Sequence, residues 1–302
     1  MCYKSSDTMS SLHRNTQKYP LRILTSVDLS GIFPPIPTPF NEDESIAYDK
    51  LEVNFKQWDK VPFQGYVVQG SNGEYPFLSN SERIEMVKFV RQLIPSNKLL
   101  IAGSSSESTR MTIELTNEMA SVGANAVMVI NPSYFKSNMT NPALIKHYED
   151  LADNSCVPVI IYNMPANTGI DLNITKIARV VARTKNNNFQ VVAGSTGFLL
   201  PALLVGCVGG INGLANILGD EVCNIYKLFK ESKLQEAVTL HQKLVEPNAK
   251  VTRELGVPAM KAAMDFMGLY GGPCRRPLMP LTEVELKSVI QAFTSNGFQP
   301  KL

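Results

Sequence analysis

The sequence is poor in the side chains that bind metals or staple secreted folds. Its 302 residues include five cysteines and three histidines. Cys2, Cys156, Cys207, Cys223 and Cys274 are odd in number, widely spaced and never arranged as C-x-x-C. That pattern argues against a disulfide framework and favours reduced thiols inside a cell. His13, His147 and His241 have no second histidine or cysteine at ligand spacing, so a zinc-type site, which needs several converging ligands, is not expected. No apolar run approaches the roughly 20 residues of a membrane-spanning helix. Basic runs interleaved with aromatics are also missing, and a net charge of +2 from 29 basic and 27 acidic residues leaves no footprint for a phosphate backbone. Neither nucleic acid nor membrane is an expected partner.

What remains is an ordinary globular composition, 44% hydrophobic and 19% charged, long enough for one large domain. The first 26 residues hold Lys4, Arg14, Lys18 and Arg22 against one acid, Asp7, with many hydroxyl residues between. This balance resembles a mitochondrial transit peptide; the plainer reading is a disordered tail without an address. From Gly31 short apolar runs alternate with amphipathic segments, the rhythm of parallel strands joined by crossover helices. Strands are expected near GIFPPI, GYVVQG, LLIAGS, AVMVIN, VPVIIYN, FQVVAGS and GINGLAN. Ser79-x-x-Glu82 resembles a capping box, and Gly123 a helix C-cap. After Asp220 only helices are expected. The resulting division is a transit peptide or tail over 1–28, a barrel over 29–219 and a helical extension over 220–302, with apolar helical faces available to a neighbouring subunit.

Seven strands leave a closed (β/α)8 barrel one short, whereas an open doubly wound sheet can have seven. The first strand-to-helix turn decides between them: PPIPTPF stands where a dinucleotide site would need glycine, and its prolines remove amide donors. The expected fold is therefore an α/β (β/α)8 barrel lacking a strand. In such a barrel functional groups gather at the carboxyl ends of strands. There the sequence places Ser71 and Asn72 in GSNGE, suited to a carboxylate; Tyr134 in NPSYF; Tyr162 in YNMPANTG, a phenol able to pass protons; and Gly194 at the end of FQVVAGS, beside space for a ligand. Taken singly, GSNG reads as a polar turn and each tyrosine as a capping core residue.

Taken in order, GIFPPIPTPF, VVQGSNGEYPFL, IAGSSSEST, VGANAVMVINPSYF, IIYNMPANTG, VVAGSTGFL and GGPCRRPLMPL resemble the dihydrodipicolinate synthase and N-acetylneuraminate lyase superfamily over about residues 29 to 298. Within it they are most similar to the mitochondrial 4-hydroxy-2-oxoglutarate aldolases. That resemblance implies a class I aldolase barrel with a helical C-terminal extension, usually a homotetramer in the mitochondrial matrix. It implies cleavage of 4-hydroxy-2-oxoglutarate to pyruvate and glyoxylate without metal or cofactor, on a small 2-oxo acid substrate. Tyr162 would be the proton donor and acceptor, with Ser71 and Tyr134 completing a hydroxyl relay, Tyr134 reaching in from a neighbouring subunit. Ser71 and Asn72 would hold the substrate carboxylate, and Gly194 would add a backbone contact. Asn167 stands where dihydrodipicolinate synthases have an arginine that grips a carboxylate, and losing that cation argues against their substrate.

The family's Schiff-base lysine, on a sixth strand of pattern G-x-K-D/E-S/T, is not found. DLNITKIARVVA passes through RTKNNN directly into FQVVAGS, about 20 to 25 residues short of a βα unit of about 30. Lys98 and Lys185 precede their strands. Lys176, Lys227, Lys230, Lys233 and Lys261 fall in helical patterns, where a solvated ammonium is the ordinary expectation. Lys136, just past Tyr134, sits on a polar loop without the surroundings that activate an amine. The chain is therefore expected to be an aldolase-type lyase whose own catalysis is lost. Two alternatives are another pyruvate-dependent lyase acting on a sugar acid, and a non-catalytic subunit that modulates intact homologues.

Overall fold

The computed structural model describes residues 27–172, 177–185, 187 and 189–300. Residues 1–26 of the proposed transit peptide or tail, and Lys176, lie outside the described residues. Strands and helices alternate as the sequence pattern predicts: β1 (Gly31–Phe33), α1 (Tyr48–Trp58), β2 (Gly65–Val68), α2 (Asn80–Leu93), β3 (Leu99–Gly103), α3 (Thr109–Ser121), β4 (Ala126–Ile130), α4 (Asn141–Asn154) and β5 (Val159–Tyr162). A single turn, α5 (Pro165–Thr168), and α6 (Ile177–Thr184) precede β6 (Val192–Ala193), α7 (Leu199–Leu204), β7 (Gly209–Ile211) and α8 (Gly219–Lys230). The chain ends in α9 (Leu234–Ala249), α10 (Gly256–Phe266) and α11 (Glu283–Thr294), with a π-helical turn at Lys250–Glu254. Both expected helix signals are present. Ser79 and Glu82 form a reciprocal capping box at the start of α2, and Gly123 follows α3 at φ +115°, a conformation that suits glycine.

All pairings between strands are parallel and fall into two sets, β1-β7-β6 and β2-β3-β4-β5. The sets meet between β1 and β2, where Gln64 N–H donates to Ile32 O at 3.0 Å, Val67 N–H to Pro34 O at 3.0 Å and Ile36 N–H to Val67 O at 2.9 Å. Among the described residues the seven strands thus follow one another around a curved band in the order β6-β7-β1-β2-β3-β4-β5. Among the described residues no ladder joins β5 to β6, so the band is open there.

Alternation along the strands divides the apolar side chains between two cores. Phe33, Val67, Ile101, Met128 and Ile211 point inward and meet Ile160 and Tyr162 from β5. Ile32, Tyr66, Leu100, Val127 and Val129 point outward against the helices, in the larger of the two clusters. Packing weakens toward the opening. Every residue of β4 is buried, whereas Ile161 of β5 is 40% exposed and its three strand neighbours are only half-buried. The short α6 buries none of its side chains completely.

The helical extension returns to the barrel through a buried ion pair. Lys261 of α10 lies 2.6 Å from Glu74, both side chains almost inaccessible to water. Its ammonium also donates to Pro273 O at 2.7 Å and stands 4.6 Å from the centre of the Phe40 ring. The expectation of a solvated Lys261 is therefore corrected: the segment GVPAMKAAMDF is apolar on several faces, and the lysine is buried because a carboxylate waits for it.

Candidate active site

The chemistry-bearing side chains meet above the carboxyl ends of β2 and β5. After β2 the chain turns sharply, with Gln69 at φ +68° and Glu74 at φ +53°, left-handed values that non-glycine residues seldom adopt. Between them Ser71–Gly73 forms a 3-10 turn that presents Ser71 and Asn72 at the mouth of the band. The turn is fixed from several sides. Thr38 Oγ1 donates to Gly73 O at 2.7 Å, and Asn72 Nδ2 donates to Pro35 O at 3.4 Å. Glu74 takes the Lys261 ammonium on one oxygen and the Arg275 N–H, at 2.9 Å, on the other. Arg275 in turn grips Glu82 through two hydrogen bonds of 2.7 and 3.0 Å. The conformation that exposes Ser71 and Asn72 is thus held by the C-terminal extension as well as by the barrel.

Tyr162 is the last residue of β5 and faces the inner core. Burial pushes its phenol above the ordinary tyrosine range, and interaction with the Ser71 hydroxyl partly opposes that rise. Tyr75 belongs to the same group. Its phenol is raised chiefly by burial; the Arg83 guanidinium opposes this, and the charge of Tyr162 adds to the rise. Sequence reasoning missed Tyr75; its only signal was its position directly after the GSNGE turn. Asn167, in the single turn after β5, donates from Nδ2 to Ser71 Oγ at 3.4 Å. Asn163 closes that loop, bonding Asp171 at 3.0 Å and accepting the Leu172 N–H at 3.2 Å. Ser71, Tyr162 and Asn167 are brought together as the sequence suggested, and Asn72 stands beside Ser71.

Two expected members lie apart. Tyr134 is 79% exposed, its backbone N–H held by Glu107 Oε2 at 2.8 Å and its ring edge-on to Phe135, so within one chain it does not join the Ser71–Tyr162 pair. Gly194 directly follows β6 on the far side of the opening; a Cβ there would meet no atom within 4 Å. Among the described residues no lysine fills the space between. None of the seven strands formed by the described residues carries one. Lys98 sits before β3 and reaches Phe63 O, and Lys185 is exposed after α6. Lys136 is exposed, with its ammonium against Gly169 on the loop following Asn167. Among the described residues no group of histidines, cysteines and carboxylates is arranged to hold a metal ion. The half-buried Cys274 thiol is pushed up to about 12, mainly by burial and then by Glu74, and is a poor nucleophile.

A curved band of parallel strands, helices on its outer face and hydroxyl groups converging at the carboxyl ends define the (β/α)-barrel class of enzyme. The sequence matches the Dihydrodipicolinate synthetase family in two stretches, residues 28–186 and 181–295, and the chain belongs to that family, whose members are carbon–carbon lyases of the aldolase type. Similar proteins include the 4-hydroxy-tetrahydrodipicolinate synthases of Haloarcula marismortui, 30% identical with 87% of this chain and 92% of the relative covered, and of Methanothrix thermoacetophila, 29% identical with 86% and 95% covered. Among solved structures, dihydrodipicolinate synthase DapA-2 from Bacillus anthracis superposes with a TM-score of 0.83 at 25% identity, covering 89% of this chain and 99% of its own. The dihydrodipicolinate synthase of Thermotoga maritima, at 23% identity and a TM-score of 0.84, shares the fold. These relatives are named as synthases, not as 4-hydroxy-2-oxoglutarate aldolases. The Methanothrix match runs over 285 positions yet takes up 86% of 302 residues, about 260, which leaves about 25 positions without a counterpart here.

Proposed function

We propose that this chain derives from a pyruvate-dependent aldolase of the 4-hydroxy-2-oxoglutarate type and that its own carbon–carbon cleavage is lost. The observation that carries the substrate reading is the Asn167–Ser71 hydrogen bond. An uncharged amide occupies the position at which, by family resemblance, the synthases hold an arginine against a substrate carboxylate. The names of the curated relatives favour 4-hydroxy-tetrahydrodipicolinate synthesis as the second reading.

In the family's chemistry a lysine amine adds to the 2-oxo carbon, water leaves, and the resulting iminium withdraws the electron pair of the bond being broken. Ser71 and Asn72 would orient the 2-oxo acid carboxylate, and Tyr162, through Ser71, would carry the proton to and from the substrate's hydroxyl. The absent amine belongs to the strand that would stand between β5 and β6. The division of the family match into two stretches that overlap at residues 181–186, the unpaired positions in the Methanothrix alignment and the opening of the band all support this reading. Mitochondrial targeting by residues 1–28 and assembly as a homotetramer, with Tyr134 entering a neighbouring site, belong to the same reading. A fluorescent reporter carrying residues 1–30 should enter mitochondria; a diffuse cytosolic signal would remove that part.

The substrate is tested by inserting a G-x-K-D-S strand and its helix between Ala182 and Arg183. The rebuilt protein should release glyoxylate from 4-hydroxy-2-oxoglutarate, while the chain as it stands remains near the uncatalysed rate. Condensation of pyruvate with aspartate semialdehyde by the rebuilt protein, without glyoxylate release, would assign it to the synthases.

A further inference from the structure

A 4-hydroxy-2-oxoglutarate molecule carries two carboxylates, and the reading above accounts for one of them, held by Ser71 and Asn72. Four carbon–carbon bonds of about 1.5 Å separate the carboxyl carbons, so the second stands about 5 Å away in an extended ligand. A carboxylate leaving water for a partly closed mouth needs a cation or several donors. Asn167 offers only an amide, and that amide already donates to Ser71 Oγ at 3.4 Å.

Most cations around the strand tops are engaged elsewhere. Lys261 is held by Glu74 and Arg275 by Glu82. Arg110 pairs with Glu114 at 2.9 Å and Lys146 with Asp150 at 2.7 Å, each within its own helix. Arg83 is buried, donates to Gly103 O at 2.8 Å and packs its guanidinium over the Tyr75 ring. Lys136 differs from all of these. It is exposed, and among the described residues it forms no ion pair. Asp171, two residues beyond Gly169, is bonded by Asn163 at 3.0 Å instead.

The place of the Lys136 ammonium is nevertheless defined. Lys136 opens the 3-10 turn Lys136–Asn138 after β4, and its side chain crosses to the loop after β5, where it lies against Gly169. A Cβ at Gly169 would collide with the ammonium nitrogen and the methylene beside it. Gly169 closes the single turn that carries Asn167, at φ +64°, and its N–H donates to Pro165 O at 2.8 Å. Asn167 and Gly169 are therefore separated by no more than about 7 Å of chain, a span comparable to the ligand itself.

We infer that Lys136 is a specificity-determining residue that receives the second carboxylate, so that the site selects five-carbon 2-oxo dicarboxylates over monocarboxylates. From the loop after β4 its ammonium supplies the charge that, by family resemblance, the synthases supply with an arginine at the position of Asn167. Lysine acts here as a point charge on a flexible stem and does not need the fixed fork of a guanidinium. The role is electrostatic and requires no bond between the amine and the ligand. This inference rests on the reading of Ser71, Asn72 and Tyr162 as a 2-oxo acid site, and adds to it the residue that chooses among such acids.

The test uses the full chain and two acids that differ only at the far end, 2-oxoglutarate and 2-oxopentanoate, with binding measured by calorimetry at low salt. The parent should bind the diacid at least about tenfold more tightly, the scale of one charge-assisted hydrogen bond. Lys136→Met should bring the two acids to within about twofold by weakening the diacid alone. Lys287→Met removes the same charge from an exposed position on α11 and should leave the preference intact. Raising the salt should erode the preference of the unaltered parent, a reading that needs no variant to fold. A parent without preference, a preference indifferent to salt, or one that survives Lys136→Met overturns the proposal. Equal loss in Lys287→Met overturns it too, since net charge would then suffice. The functional reading fails separately. If neither acid binds, that reading and the proposal fall together, whereas two acids bound equally leave the 2-oxo acid site standing and remove only the role of Lys136.

Discussion

The Asn167 amide donates to the Ser71 hydroxyl at 3.4 Å, tying the loop after β5 to the loop after β2 across 96 residues of sequence. Both partners of that bond are uncharged side chains. The Tyr162 phenol is raised by burial and partly relieved by Ser71, so two substitutions should move it in opposite directions. Ser71→Ala removes the relieving hydroxyl and should shift the Tyr162 titration upward. Asn167→Arg brings a cation near the phenolate and should shift it downward. Phenolate absorbance, with a Tyr162→Phe variant subtracted to isolate this residue, reads both. A titration that neither substitution moves would separate Ser71 from Tyr162.

The buried Glu74–Lys261 pair joins the helical extension to the turn that carries Ser71 and Asn72. Lys261→Met leaves the Glu74 carboxylate buried without its cation and should cost about 3 to 5 kcal/mol in urea unfolding. Replacing both partners, Glu74→Leu with Lys261→Met, should recover much of that loss, because the desolvation of two charges disappears with them. A single variant as stable as the parent would show that the pair does not hold the turn.

Arg275 and Glu82 provide a pH signature. The carboxyl is held down to about 2, first by the Arg275 hydrogen bonds and then by the N–H and hydroxyl of Ser79, from an ordinary 4.5. A depressed carboxylate stabilises the fold above its unfolded value, and that contribution is lost as pH falls from about 4.5 through about 2. Glu82 is partly exposed, so solvent screening limits the effect to about 1 kcal/mol. Glu82→Gln should therefore lower stability near neutrality, and the difference from the parent should vanish near the acid end of that window. A difference that persists unchanged at low pH would contradict the assignment.

The sequence carried the order of the strands and the meeting of Ser71 with Tyr162 because both depend on local signals. Strand ends followed by GSNGE and YNMPANTG place Ser71 and Tyr162 where a parallel fold gathers its chemistry, and Ser79 and Glu82 announce the start of α2 within four residues. The long-range pairings were not legible. Lys261 reads as one more helical lysine until Glu74, far away in sequence, meets it in the folded chain. A lysine inside the apolar stretch VPAMKAAM, together with an acid directly after a glycine turn, is the signal that would have suggested the pair. Tyr134 has the opposite history. Its motif points to a site, yet alone in one chain its side chain stands in solvent.

The central claim, that the family's amine is absent and cleavage is lost with it, is tested most directly by incubating the chain with pyruvate and sodium borohydride and weighing the intact protein. With no lysine on the seven strands of the described residues, no iminium should form and the mass should not change. The protein rebuilt between Ala182 and Arg183 should gain one reduced pyruvate adduct on its inserted lysine. A single adduct on the unmodified chain, mapped to Lys136, Lys261 or any other lysine, would contradict the account.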